Sequence, residues 1–370
     1  MTRPLASATP ITPRALNRAT LARQLLLARH RWSPLKALRH LMGLQAQAPE
    51  PPYLALLARL EGFEPAQLTR LLERTTVVRM AALRSTLHLI PADEALSLRG
   101  LLQPMMKRVL QASRGRLLDG LDLDVVAAAA QRLLRSQPLT HGQLGTALQR
   151  LWPERDADAL ATAARNLLPL AHLPPAGCWG CHARPQLEIH EAGAADHTLG
   201  VDALVLRYLQ AFGPARPQDM ALWCGLTQLG ASFERLSPRL IRLVDEAGQE
   251  HFDLPRAPRP APDTAAPPRL LGPWDALLLS YADRRRFLRE VHRRSVFTNN
   301  GIVRPTAWVD GRVAGTWALL DGDKTARIEV SALEPLSQPD RSALTLEAQR
   351  LLHAVHPQKR HEIRIGRGDA

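Results

Sequence analysis

Over residues 75–90 the hydrophobic period of the chain changes, and that change restricts the fold more than any other feature. Residues 75–80 and 85–90 are rich in Thr, Val, Leu and Ile, with only a short link ending at Arg84 between them. A link that short cannot cross over a sheet, so the two runs are predicted to pair as an antiparallel hairpin. Upstream the spacing is helical. Thr12-Pro13 and Ser33-Pro34 each place a capping hydroxyl before a proline at the first helical position. Leu16, Ala19, Leu25 and Leu26 line one apolar face, and Leu35, Leu38, Leu41 and Leu44 line the next. Residues 52–60 read as a third helix, stopped by Gly62, and Glu64-Pro65 opens a fourth carrying Leu68, Leu71 and Leu72. Helices leading into a two-stranded hairpin predict a winged helix-turn-helix unit.

The pattern recurs with unequal length. After a helix over 91–114, residues 125–134, 138–144 and 157–168 are helical, and 178–189 is the expected second wing. A third copy starts at Gly200 with helices over 201–212, 216–223 and 237–245 and a strand at 250–254. Residues 255–268 hold six prolines and form an extended linker. Beyond them Asn300-Gly301 and Asp310-Gly311 are hairpin turns between β-prone runs, closed by a helix over 340–355 and a last strand over 361–365. The expected class is α+β: a first winged-helix unit over 1–120, a second over 121–195, a third over 196–257, a proline-rich linker over 258–269, and a β-rich, barrel-like domain over 270–370.

The two carboxamides Gln45 and Gln47 stand at the end of the second helix, just before Pro49, Pro51 and Pro52. Positions two apart do not share a helix face. At a helix end that runs into prolines the backbone is freer, and both amides can turn into one cleft. Each offers a carbonyl acceptor and two N–H donors, so together they can hold a water without ionising.

The net charge of +13 favours a polyanionic partner, nucleic acid first, although an arginine-heavy, lysine-poor composition also raises charge everywhere. There is no apolar run long enough to span a membrane and no secretory leader at the N-terminus, so a cytoplasmic protein is expected. Three cysteines, Cys178, Cys181 and Cys224, make no disulfide framework. Cys178-Trp179-Gly180-Cys181-His182 matches a haem-attachment pattern, but no export signal accompanies it, and a zinc site lacks its second pair; a structural loop is the expectation.

Four patches carry a family likeness. They are Gly43-Leu44-Gln45-Ala46-Gln47 with Tyr53-Leu54-Ala55-Leu56; Arg84-Ser85-Thr86-Leu87-His88-Leu89-Ile90; Trp274-Asp275-Ala276-Leu277-Leu278-Leu279-Ser280-Tyr281; and Pro305-Thr306-Ala307-Trp308-Val309-Asp310-Gly311 running to Trp317. In order and spacing, over residues 16–355, the chain resembles the winged-helix DNA glycosylases, with tandem winged helices and a C-terminal β-barrel. It is most similar to the AlkZ-like branch, which carries Gln-apolar-Gln and unhooks azinomycin-type interstrand crosslinks, rather than the Gln-apolar-Asp branch of YcaQ. The resemblance implies that Gln45 and Gln47 are catalytic, that the enzyme is monofunctional and monomeric, and that its substrate is alkylated or crosslinked double-stranded DNA. The chemistry fits neutral amides: an N7-alkylguanine is already cationic, so water positioning and charge stabilisation on the sugar suffice. No metal cluster, Schiff-base lysine or Gly-rich phosphate loop is visible, so no cofactor is expected. Arg284, Arg285, Arg286, Arg293, Arg294 and Arg304 are the candidate DNA contacts. His88 and Phe287 are expected in the core. The alternative is a non-catalytic winged-helix transcriptional regulator, though its short helices, such as 143–151 and 218–224, are poor in Arg and Lys.

Overall fold

The computed structural model describes residues 9–191 and 199–368. In chain order the elements begin with β1 (Thr9–Pro10), α1 (Pro13–Arg23), α2 (Pro34–Leu41), β2 (Leu44–Gln45), α3 (Pro51–Arg59), α4 (Pro65–Glu73), β3 (Val77–Ala81), β4 (Leu87–Pro91) and α5 (Ala92–Arg114). There follow α6 (Leu123–Ser136), β5 (Leu139–Thr140), α7 (His141–Gln149), α8 (Ala157–Leu167), β6 (Leu170–His172) and β7 (Gln186–Ile189). Next are α9 (Val201–Phe212), α10 (Pro217–Cys224), α11 (Gly230–Leu236), β8 (Ile241–Val244) and β9 (Glu250–Asp253). The chain ends with β10 (Arg269–Leu271), α12 (Ala276–Leu279), α13 (Arg293–Val296), β11 (Thr306–Val309), β12 (Arg312–Asp321), β13 (Thr325–Ala332), α14 (Gln338–Val355) and β14 (Arg360–Arg367). The fold class is α+β. None of the described helices is long and apolar enough to cross a membrane.

The proline starts work as capped helices. Thr12 and Ser33 accept from the backbone N–H groups of Ala15 and Lys36, each with a proline inside the first turn. One order, helix, short strand, two helices, hairpin, then occurs three times. In each copy the short segment pairs antiparallel with the second hairpin strand: Gln45 opposite His88, Thr140 opposite Gln186, and Ala215 opposite Phe252.

The first two hairpins are not separate. β3 pairs antiparallel with β6, so they merge into a six-stranded sheet ordered β2-β4-β3-β6-β7-β5. The second hairpin therefore starts at Leu170, not at 178; residues between β6 and β7 are a loop that docks on α3, where Trp179 meets Tyr53 edge-on at 5.3 Å. In the third copy the helix expected over 237–245 is a single turn, Ser237–Arg239, followed by β8, where Ile241 and Leu243 alternate and pair with β9. The 301–303 run forms only an isolated bridge between Val303 and Phe297.

The C-terminal part is an open sheet ordered β10-β11-β12-β13-β14, with β10 and β14 at its edges, so the barrel expectation is corrected. Its last pair is parallel, because α14 carries the chain back along the sheet before β14. The same helix packs on β10, β11, β13 and β14 and buries Leu344, Ala348, Leu351 and Leu352. With an apolar face covered by a helix, closing the strands on themselves is not needed to bury it.

Cores cross the expected boundaries. One apolar cluster joins α5, α9 and α10 to residues from Leu271 to Val313, and another joins α2 and α3 to β13 and α14, whereas α6, α7 and α8 share a core of their own. The proline-rich strap is pinned to α1: Arg14, Arg18 and Arg23 donate to the carbonyls of Pro262, Thr264 and Pro258. Arginine is thus a structural residue here. Arg18, Arg23, Arg59, Arg79, Arg99, Arg269 and Arg286 are all buried, which removes seven guanidinium groups from any account of DNA affinity based on net charge.

Candidate active site

Gln45 ends strand β2 rather than a helix, and Gln47 follows it in a bend. Met42 (φ 57°) and Gly43 (φ 96°) turn left-handed after α2, and the Gly43 N–H returns to the Leu38 carbonyl at 2.9 Å. A Cβ on Gly43 would lie 2.9 Å from the Leu89 carbonyl oxygen, so glycine is what lets β2 lie against β4. The Ala46 N–H continues the ladder to the Leu87 carbonyl at 2.7 Å. Ala46 is buried, Gln45 is partly buried and Gln47 is exposed.

Each amide is oriented by a donor. The Arg84 guanidinium donates to Gln45 Oε1 at 2.7 Å, and the Leu87 N–H donates to Gln47 Oε1 at 2.9 Å. A carbonyl oxygen has two lone pairs, so each Gln keeps one acceptor position.

Two arginines outside the expected site residues build this geometry. Arg79, buried on β3, donates from Nε to the Ala46 carbonyl at 2.9 Å and from a terminal nitrogen to the Gln47 carbonyl at 3.3 Å. Its third contact is His172 Nδ1 at 3.1 Å across the β3–β6 pair. Arginine has no acceptor, so that nitrogen accepts and the His172 proton is on Nε2. Arg84 lies at the tip of the β3–β4 hairpin, where Arg84 (φ 55°) and Ser85 (φ 58°) are both left-handed. Such strain persists only where surroundings hold it. Arg84 also donates to the Trp223 carbonyl on α10, and Ser85 Oγ reaches Asn166 Oδ1 on α8 at 2.7 Å. The tip is thus where all three repeats meet. The available signal was a pair of arginines inside an otherwise apolar hairpin: a buried charge there must have partners.

His88 is in the core, as expected, with Nδ1–H donating to the Thr86 carbonyl at 2.9 Å. Burial, with Arg84 adding to it, lowers its pKa to about 3; burial, with Arg79 adding to it, does the same to His172. Unfolding lets both rings take up protons below pH 6.5. Between about pH 3 and 6.5 the unfolded state binds more protons, so this contribution to stability is full above pH 6.5 and is lost as pH falls through that window. In the folded protein neither ring should titrate between pH 5 and 8 when followed by NMR; a midpoint near 6.5 for either would contradict this placement.

The six candidate DNA arginines have different fates. Arg286 is buried, donating to the Pro214 carbonyl at 3.1 Å and stacking over Tyr281 at 4.6 Å, so it is no surface contact. Arg284 is half-buried over Phe297 and bonded to the Leu278 carbonyl at 2.7 Å. Arg285 is exposed but paired with Asp283 at 2.6 Å, and Arg293 pairs with Glu290 at 3.3 Å. Arg294 and Arg304 are exposed, with no carboxylate partner among the described residues. Phe287 is fully buried.

Cys178 is buried against the α2–α3 core, with its thiol pKa raised chiefly by burial, while His182 is largely exposed. Among the described residues no group of three or more His, Cys, Asp or Glu side chains could hold a metal ion. Of the short helices that a regulator would use as readers, α10 buries Met220, Trp223 and Cys224 and α7 buries Leu144 and Leu148.

A frame of this kind has a solved counterpart among the DNA glycosylases. The chain is a member of the AlkZ-like DNA glycosylase family, whose model matches residues 38–354. Among solved structures, Streptomyces sahachiroi DNA glycosylase AlkZ matches with a TM-score of 0.80 and 22% identity, covering 97% of this chain and 100% of that one. No curated sequence matches the chain.

Proposed function

We propose that this protein hydrolyses the N-glycosidic bond of N7-alkylguanine-type lesions, including those that form interstrand crosslinks, with Gln45 and Gln47 as its catalytic pair. One observation carries the reading: two carboxamides two residues apart are both held at the β3–β4 hairpin by one donor each, Arg84 on Gln45 Oε1 and the Leu87 N–H on Gln47 Oε1, which leaves each carbonyl one lone pair. Two free lone pairs match the two hydrogens of a water. Held so, the water presents its own lone pair to C1′ as the cationic base leaves. Neither amide can act as a base, which restricts the enzyme to substrates already activated by alkylation. The water's proton passes to solvent after attack, and neither a lysine adduct nor a cofactor takes part. Each helix-and-hairpin repeat is read as a winged-helix unit, within the bounds 1–120, 121–195 and 196–257, and the rest as strap and C-terminal domain. Crosslink unhooking by a cytoplasmic monomer would protect a cell from genotoxic natural products.

The test is single-turnover incubation with a duplex carrying N7-methylguanine and with a crosslinked duplex. Free N7-methylguanine should be released, leaving an abasic site and an intact strand until the strand is heated in alkali. Binding to undamaged duplex should be independent of sequence and fall steeply with salt. Tight, salt-insensitive binding to one sequence without base release would point to a regulator instead.

A further inference from the structure

A groove of about 730 Å³ opens beside the Gln pair, between the β3–β4 hairpin tip and the second repeat. It begins at Leu87, whose N–H holds Gln47, and runs past Arg84 to Arg114 on α5, Arg165 on α8 and Arg184 in the β6–β7 loop. Its volume suits a nucleotide-sized segment, within the roughly 300–1,000 Å³ of ligand clefts.

The charge in this groove is unbalanced. Four guanidinium groups face a single carboxylate, Asp158. That carboxylate is already used twice, by Arg114 at 3.0 Å and His141 at 3.1 Å. Arg165 lies two turns further along α8, on the same face as Asp158 and Thr162. It is half-buried, its Nε is fully buried without a hydrogen-bond partner, and among the described residues its guanidinium has no ion pair. Arg184 is exposed and likewise without a carboxylate. Another cavity rich in arginine shows the opposite arrangement: Arg216, Arg285 and Arg286 there face Asp245, Glu246 and Asp283. Unused, partly desolvated donors are costly to leave without an acceptor, and a surplus of guanidinium groups in one groove is matched by an anion.

We infer that this groove is a backbone-phosphate site for the DNA strand next to the lesion, with Arg165 and Arg184 as its direct phosphate contacts. The inference rests on the reading of Gln45 and Gln47 as the lesion end of the site. It places the strand against the second repeat.

The experiment is fluorescence anisotropy on a 20-base-pair duplex, with and without N7-methylguanine, across a salt series. Arg165→Gln and Arg184→Gln should each weaken binding about five- to tenfold on both duplexes and lower the salt slope by about one. Arg165→Lys should restore the slope. Arg184 is exposed and makes no hydrogen bond or ion pair among the described residues, so its variant should fold as the wild type does, checked by circular dichroism. A single neutral methylphosphonate beside the lesion should weaken wild-type binding, and Arg165→Gln should then add nothing further. Wild-type affinity and slope in both glutamine variants would overturn the inference. Wild-type protein that shows this arginine dependence but releases no N7-methylguanine would leave the groove standing and sink the catalytic reading.

Discussion

Gln47→Ala should slow release of N7-methylguanine about a hundredfold while duplex affinity changes by no more than about twofold. The magnitude is that of one positioning contact made in the transition state, on the order of 3 kcal/mol. The geometry says why affinity should survive. Gln47 is exposed and takes up only the Leu87 N–H at the end of β4, a group that water can satisfy when the side chain is removed. Gln45→Ala should lose a similar factor, and the double variant less than the product, because both amides hold the same water. Gln47→Glu is the sharper substitution. A carboxylate there can act as a base, so partial activity should remain and the substrate range should widen toward less activated bases. The measurement is single-turnover base release, with binding followed in parallel. Wild-type rates in both alanine variants would mean that the pair only completes the edge of the sheet.

The second large effect concerns stability. Arg59, at the end of α3, is fully buried and donates to both carboxylate oxygens of Asp275, at 2.7 and 2.9 Å. Asp275 in turn caps the Leu277 N–H at 3.1 Å, so this pair joins the helix that follows the Gln segment to the start of the C-terminal part. Arg59→Ala leaves a buried carboxylate without its partner, and the cost should be about 3–5 kcal/mol. Replacing both residues, Arg59→Met with Asp275→Leu, should recover most of that loss, since no charge then remains to desolvate. Urea denaturation of the two variants beside the wild type makes the comparison. A loss under about 1 kcal/mol in the single variant would show that water or another cation reaches Asp275.

The helix starts were legible because their causes are local. A hydroxyl, a proline and leucines at helical spacing decide Pro13–Arg23 and Pro34–Leu41 within a few residues. The β3–β4 hairpin was legible for the same reason, and so was its return in altered form further on. The second hairpin was misplaced because β6 is three residues long and is defined by its partners, Arg79 and Met80 on β3, more than ninety residues earlier. The barrel was expected from strands and turns alone. What keeps the sheet open is α14 lying on it, a packing relation that no single strand records.

For the site, the identity of the two amides and their place before a run of prolines could be read from the chain alone. That both are held at one hairpin could not, since on a helix they would diverge. It depends on β2 pairing with β4, forty residues away, and on Gly43 allowing the approach. Arg79 and Arg84 acquire their roles only where the repeats meet, as ladder, Trp223 and Asn166 close around the hairpin tip. Residue type and short-range spacing state what chemistry is available. The directions of two side chains, and the donors that hold them, are set by contacts between distant segments, because only those contacts offset the cost of burying a guanidinium and straining a turn.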